Sequence, residues 1–309
     1  MVTPDGSTVY VGTSSGTAVH AISTATNAVV ATITVGTDAK YLAISPNGQR
    51  VYCANSGSAN VSVIATATNT VVGTVSVGMT PFSLEVTPDS GTVYVTNSNS
   101  ATVSAISTAN NTVTATVGVG TTPQFLTVAP SGSAVYVANA DVGSVSVINT
   151  GTNTVVATIG VGLLPQQVVS TFDSLSVYVA NSGSNTVSAI DGATNTAIKM
   201  ITVGDNPTYL AVTAVPNSVV NGQCRKNIFL AQTELFNDIG WTVPTNIGIV
   251  ASYQIYRDAG LTDLIGTVAP TTLAIKDHNR EQNQSYTYYV VAVLQNGSIE
   301  VIGSVTVHC

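Results

Sequence analysis

Apolar and polar positions alternate along most of the first 213 residues, in short runs broken by Gly, Pro, Asn and Asp. Alternation predicts β-strands, because successive side chains leave a strand on opposite faces. The pattern also repeats. Tyr10, Tyr52, Tyr94, Tyr136 and Tyr178 are spaced by 42 residues. Gly36, Gly78, Gly120, Gly162 and Gly204, each preceded by Val, keep that interval, as do Asn27, Asn69, Asn111, Asn153 and Asn195. A period held through five copies without an insertion predicts a repeat architecture.

In the third copy the expected strands are residues 81–86, 92–97, 102–106 and 112–117. Thr87-Pro88-Asp89-Ser90-Gly91 supplies turn chemistry between the first two, and the constant Asn suits a left-handed position between the last two. The constant Gly is expected to permit a tight passage into the next copy. A four-stranded unit of this size cannot bury its own faces, whereas radial stacking through small residues buries them and leaves only short edges. The fold class expected is all-β: a five-bladed β-propeller of four-stranded, 42-residue blades over residues 1–213, plus a C-terminal β-sandwich over 214–309. The first copy lacks the counterpart of Pro81-Phe82-Ser83-Leu84, and Pro207-Thr208-Tyr209-Leu210-Ala211-Val212 follows the last copy. That segment is expected to slot beside residues 8–13 and latch the ring; a fragment of a larger ring or an open arc is the rival.

Tyr94-Val95-Thr96-Asn97, Tyr136-Val137-Ala138-Asn139 and Tyr178-Val179-Ala180-Asn181, with trailing Thr-Val-Val and Val-Gly pieces, resemble the YVTN β-propeller repeats of prokaryotic surface-layer-type proteins. The resemblance implies surface display or binding. Members of that family usually carry seven blades, so a count of five departs from their habit. Beyond residue 214 the period stops, and alternating runs at 239–243, 251–257, 264–268, 287–293 and 299–307 predict sandwich strands. This part resembles a fibronectin type III domain. Trp241 stands where the core Trp of the second strand is expected, and Tyr286 stands at the tyrosine-corner position. Such modules are usually spacers or ligand binders.

Charge narrows the choice of partners. Only 7% of residues are charged, and the net charge is −7. There is no clustered Lys and Arg to displace counterions, so no nucleic-acid partner is expected. No apolar run is long enough for a membrane span, and no membrane insertion is expected. Met1–Gly6 carries neither a basic segment nor an apolar run, so no signal peptide is expected in a chain that begins inside a repeat. Extracellular or cell-surface localisation is expected from the family resemblance alone.

Chemistry is sparse. His20, His278 and His308 are the only histidines, and His20 takes a place filled by Ser62, Ser104, Ser146 and Ser188 in other copies. No catalytic set, metal site or cofactor is expected. Cys53 replaces a Val of the repeat and reads as a small hydrophobe. Cys224 and Cys309 bracket the second domain, joined in a disulfide or left as two thiols.

The informative positions are those that vary inside the rigid repeat. The column Lys40, Phe82, Gln124, Gln166 and Thr208 holds four residue types in five copies, and its neighbour includes Tyr41, Phe125 and Tyr209. Both columns begin the innermost strand, which opens at one end of the central channel. They are the candidate ligand-binding residues, for a protein or glycan ligand, against the alternative of drift on an unselected rim. Glu85, the one acid in an innermost strand, is expected to line a wet channel. The expected function is a non-enzymatic binding or adhesion module; the alternative is a lactonase-like propeller hydrolase or lyase.

Overall fold

The computed structural model describes residues 1–172, 174–212, 220–228, 233–241, 250–258, 260–269, 271–272, 274–277, 284–294 and 299–308, with backbone only for 220–238, 300 and 308. The chain forms two compact units, Met1–Val212 and Thr213–Cys309.

In the first unit each copy forms one antiparallel sheet with its strands in chain order. The first sheet holds β1 (Thr8–Gly12), β2 (Ala18–Ser23) and β3 (Ala28–Thr34). The second holds β4 (Ala39–Ile44), β5 (Arg50–Asn55), β6 (Asn60–Ala65) and β7 (Thr70–Ser76). The third holds β8 (Pro81–Val86), β9 (Thr92–Asn97), β10 (Thr102–Ser107) and β11 (Thr112–Gly118). The fourth holds β12 (Pro123–Val128), β13 (Ala134–Asn139), β14 (Ser144–Asn149) and β15 (Thr154–Gly160). The fifth holds β16 (Pro165–Ser170), β17 (Ser176–Asn181), β18 (Thr186–Asp191) and β19 (Thr196–Thr202). These are five propeller blades, whose first strands β4, β8, β12 and β16 lie side by side around the axis.

Burial lies between blades. Tyr52, Val61, Val63 and Val75 of the second blade pack on Leu84, Val86, Val93, Val95 and Ile106 of the third, and the pattern recurs at the other interfaces. Two constant columns meet across the seam. The Tyr10, Tyr94 and Tyr136 hydroxyls donate to Asn69, Asn153 and Asn195 Oδ1 of the following blade at 2.6, 2.8 and 3.1 Å. The Tyr52 hydroxyl is buried with no such partner. The same Asn column takes the left-handed conformation expected of it, with φ of 53–56° in all five copies.

The constant Gly has a different reason from the one expected. Gly36, Gly78, Gly120 and Gly162 do not adopt positive φ; a Cβ on each would stand 2.7 Å from the Cβ of Asn55, Asn97, Asn139 and Asn181. Those asparagines are fully buried, and each donates from Nδ2 to Ser62, Ser104, Ser146 or Ser188 Oγ at 2.9 Å. Gly is therefore needed for close approach. In the first blade Thr13 and His20 replace both members of the Asn–Ser pair, and His20 Nδ1 lies 3.1 Å from Thr32 Oγ1 instead.

Every blade carries a bulge between its third and fourth strands, at Ala21/Ile22, Val63/Ile64, Ala105/Ile106, Val147/Ile148 and Ala189/Ile190. The bulge leaves Val30, Val72, Thr114, Val156 and Ile198 out of the ladder, and it irregularises the outer edge. Cys53 is fully buried, and burial pushes its thiol up to about 12. It is expected to resist alkylation in the folded protein and to react on unfolding, as intact mass would record.

The expected latch is not formed. Residues 207–212 belong to no strand, and β1 is bridged by Val2 opposite Val9. Thr3 N–H donates to the Thr8 carbonyl at 2.9 Å and Tyr10 N–H to the Met1 carbonyl at 2.8 Å. Residues 1–3 thus already use the edge where part of the latch would pair.

In the second unit β20 (Val220–Ile228), β21 (Thr233–Trp241) and, later in the chain, β24 (Ala274–Asp277) form one sheet. The other holds β22 (Val250–Tyr256), β23 (Leu264–Val268), β25 (Ser285–Leu294) and β26 (Ile299–His308), in the order β23-β22-β25-β26. Ile239 and Trp241 from the first sheet share a core with Tyr253, Ile255, Tyr288 and Val290 from the second, which makes a sandwich. Buried Asp277 accepts from the Tyr288 hydroxyl at 2.8 Å and from Arg257 Nε at 3.2 Å, a charged core contact that strand patterning did not reveal. Cys224 lies on β20, but its side chain, like Cys309, falls outside the described residues, as does His278.

Candidate binding site at the channel mouth

The first strand of each complete blade is irregular where the variable columns lie. In β8 the pairing jumps from Pro81↔Asn97 to Leu84↔Val95, and the same jump occurs between Pro123 and Leu126 and between Pro165 and Val168. Phe82 and Ser83, Gln124 and Phe125, and Gln166 and Gln167 therefore stand outside the ladder. These positions have no cross-strand partner in the ladder. Bulges of this kind re-aim side chains. Just before each lies a left-handed residue that is not Gly: Asp38, Thr80, Thr122, Leu164 and Asn206, with φ of 47–58°. Such backbone is strained for Thr and Leu, and it recurs at one end of every blade.

Four aromatic side chains converge here. The Tyr41 and Phe82 ring centroids are 4.4 Å apart, Tyr41 and Phe125 5.6 Å, Phe82 and Phe125 5.3 Å, and Phe125 and Tyr209 6.1 Å. They come from the second, third and fourth blades and from the segment after the fifth. Tyr41, Phe82 and Phe125 are half-buried, while Tyr209 is 73% exposed and presents its ring to solvent. Burial, then the nearby Tyr209 and Asp38, raises the Tyr41 hydroxyl above its usual range, so it is a neutral donor at physiological pH.

The other candidates behave differently. Exposed Lys40 pairs with Asp38 at 3.3 Å, and Asp38 also accepts from Ser15 N–H at 3.0 Å. Gln124 and Gln166 are half-buried and Thr208 is exposed; none of these side chains hydrogen-bonds within the described residues. Gln167, in the same column as Tyr41, Phe125 and Tyr209, accepts from Leu210 N–H at 2.6 Å. Ser83, two copies earlier in the same column, accepts from Leu126 N–H at 3.5 Å. The shared interval of 43 residues was the available signal. Leu210 therefore bonds to β16 of the fifth blade as Leu126 on β12 bonds to β8.

Glu85 is half-buried on β8 and tied to the neighbouring blade. Its Oε2 accepts from Val128 N–H at 2.9 Å, tying β8 to β12. Burial pushes its carboxyl up to about 7, against the opposing pull of the Val128 N–H and the Thr127 hydroxyl. The folded state thus binds this proton more tightly than the unfolded chain, whose value is near 4.5. Its stabilising contribution is full below pH 4.5 and is lost as pH rises to about 7. Glu85→Gln is expected to remove that slope, making the variant more stable than wild type above neutrality by about 3 kcal/mol at most. Denaturant melts across this pH range check it. Among the described residues no three His, Cys, Asp or Glu side chains gather into a metal-binding group, and no helix is long and apolar enough to cross a membrane.

No protein-family model matches the chain, and no curated protein matches it. Solved structures do. Hydrazine synthase of Kuenenia stuttgartiensis superposes with TM-score 0.60 at 18% identity, covering 97% of this chain and 93% of that one. A functionally unknown protein from Desulfotomaculum acetoxidans superposes with TM-score 0.58 at 18% identity, covering 91% and 88%. A chain of the mitotic checkpoint complex superposes with TM-score 0.60 at 14% identity, covering 67% of each. At these identities the likeness concerns the fold, and the fold is a β-propeller followed by further β-sheets.

Proposed function

We propose that the first unit is a non-enzymatic binding module of the YVTN-repeat kind, displayed at the cell surface or secreted. The second unit then serves as a fibronectin type III-like spacer or second contact. The observation that carries the binding reading is the convergence of Tyr41, Phe82, Phe125 and Tyr209 on one end of the channel. Aromatic faces beside free amides, Gln124 and Gln166, suit a sugar ring or an apolar peptide side chain: the ring faces provide apolar area and the amides orient hydroxyls or peptide groups. For the second unit, the arrangement of its described strands in sheets of three and four, with buried Trp241 beside Tyr253, supports the fibronectin-like reading.

The similar structures include a synthase and a protein assembly, so fold likeness does not choose between enzyme and binder. A lactonase-like hydrolase or lyase would rest on Glu85 as its acid. The bond from Val128 N–H holds that carboxyl in the wall between two blades, which favours a structural role. Parallel glycan and peptide arrays probed with the whole chain test the proposal. Retention of a glycan or peptide class by wild type, and its loss with Tyr209→Ala, is the expected result. Equal retention by both proteins, or turnover of lactone substrates, would count against it.

A further inference from the structure

The loop entering each complete blade is pinned twice by the turn between that blade's second and third strands, with one exception. Thr37, Met79 and Leu163 N–H donate to Ser58, Ser100 and Ser184 Oγ at 2.7, 2.8 and 3.0 Å. The carbonyls of the same three residues accept from Gly57, Asn99 and Gly183 N–H at 3.1, 3.3 and 3.0 Å. In the fourth blade Thr121 holds the equivalent place, and neither its N–H nor its carbonyl is bonded among the described residues. The turn differs there at two positions. Val142 stands for the serine, which removes the acceptor, and Asp141 accepts the Thr122 hydroxyl on its carboxylate. The turn itself keeps its place, since Ala140 N–H still donates to the Thr122 carbonyl at 3.0 Å, as Ser56, Ser98 and Ser182 N–H do to their counterparts.

Beside these unpaired groups a groove of about 500 Å³ lies at the seam between the third and fourth blades, both of them complete. Gly118 makes the room: Thr34, Ser76 and Thr202 fill its column in other blades, and a Cβ at Gly118 would meet nothing within 4 Å. Val119, Val142 and Val155 give apolar walls, with Val142 54% exposed. Ser144 and Ser146 also line the groove and are buried. Their hydroxyls accept from Asn139 Nδ2 at 3.1 and 2.9 Å, and their own protons have no acceptor among the described residues. No charged side chain lines the groove.

We propose that this groove binds an extended, uncharged peptide segment carrying a small aliphatic side chain. Thr121 offers its N–H and its carbonyl together, the two groups that one residue of an antiparallel strand exchanges with its partner. A peptide N–H and carbonyl thus take the places left by the column-141 N–H and the missing serine hydroxyl. The aliphatic side chain enters among the three valines, and the Ser144 and Ser146 protons donate to a further peptide carbonyl. Charge selects the segment: a lining without counter-charges penalises an acidic or basic side chain that must shed water to enter. The groove is separate from the aromatic mouth, and the proposal holds whichever ligand the mouth takes.

Titration of the full ¹⁵N-labelled chain with the capped tripeptide acetyl-Thr-Val-Thr-amide, read by amide NMR shifts, tests this. Saturable shifts are expected at Gly118, Gly120 and Thr121, and none at the column-mates Ser76, Gly78 and Met79. Two variants restore what other blades carry. Val142→Ser returns the hydroxyl that accepts from Thr121 N–H, and Gly118→Thr refills the groove; each is expected to keep its melting temperature and weaken binding about tenfold or more. Maltose, a neutral sugar, is expected to leave Thr121 unshifted. Absence of a saturable shift at Thr121, equal shifts at Met79, or unchanged affinity in either folded variant would overturn the proposal. So would saturation by maltose in place of the peptide. Shifts confined to Phe82 and Phe125 would also overturn it, while leaving the reading of the mouth intact.

Discussion

Replacing Gly120 with valine is expected to destabilise the propeller by about 3 kcal/mol or more, lowering its melting temperature by roughly 6–12 °C. The first added carbon would stand 2.7 Å from Asn139 Cβ and Cγ. Asn139 cannot yield easily: it is fully buried, and its Nδ2 donates to Ser144 and Ser146 Oγ at 3.1 and 2.9 Å. Either the seam between the third and fourth blades opens or these bonds break. The control lies two residues away. Gly118 meets nothing within 4 Å, and Thr34 and Thr202 fill its column in other blades, so Gly118→Thr is expected to be nearly neutral. Equal melting temperatures for the Gly120 and Gly118 variants would show that the constant Gly is kept for another reason.

The second large effect concerns ligand binding. Removing both Phe82 and Phe125 rings is expected to weaken binding by about 2–5 kcal/mol, roughly thirtyfold to several thousandfold, because each ring provides stacking area and also positions the others. Phe82 is half-buried against Tyr41, so this double variant should also lose some thermal stability. Tyr209 separates the two effects. At 73% exposure its removal should leave the melting curve unchanged while reducing affinity by about 1–3 kcal/mol. Calorimetric titration of an array-selected ligand, with melts in parallel, checks both. Unchanged affinity in both variants would move the site away from the mouth.

Much of the scaffold could be read from the chain because it is periodic. The Tyr, Asn and Gly columns locate blades and turns, and the left-handed Asn follows from its place between two strands. Periodicity does not say which columns touch. Tyr94 and Asn153 lie 59 residues apart, an interval that becomes meaningful only once one blade stacks on the next. The Gly column predicts a tight passage between copies, and what makes it tight is the neighbouring Asn, again across a seam.

The mouth was legible as a place and not as an arrangement. Variation marked the two columns, yet Phe82 and Phe125 occupy different ones; the bulge between proline and the apolar anchor brings them together. A bulge leaves no mark in an alternation pattern when both displaced residues are free to vary. The latch failed for a related reason: counting strands overlooked residues 1–3, which already occupy part of the β1 edge.

The central claim is that this aromatic mouth is where the protein binds. Hydrogen–deuterium exchange of the whole chain, with and without the array-selected ligand, tests it most directly. Slowed exchange is predicted at residues 38–42, 79–84, 121–126 and 206–210, where the mouth backbone lies outside or at the start of the ladder, with no change along β7, β11 and β15. Protection confined to those outer strands or to the second unit would contradict the account.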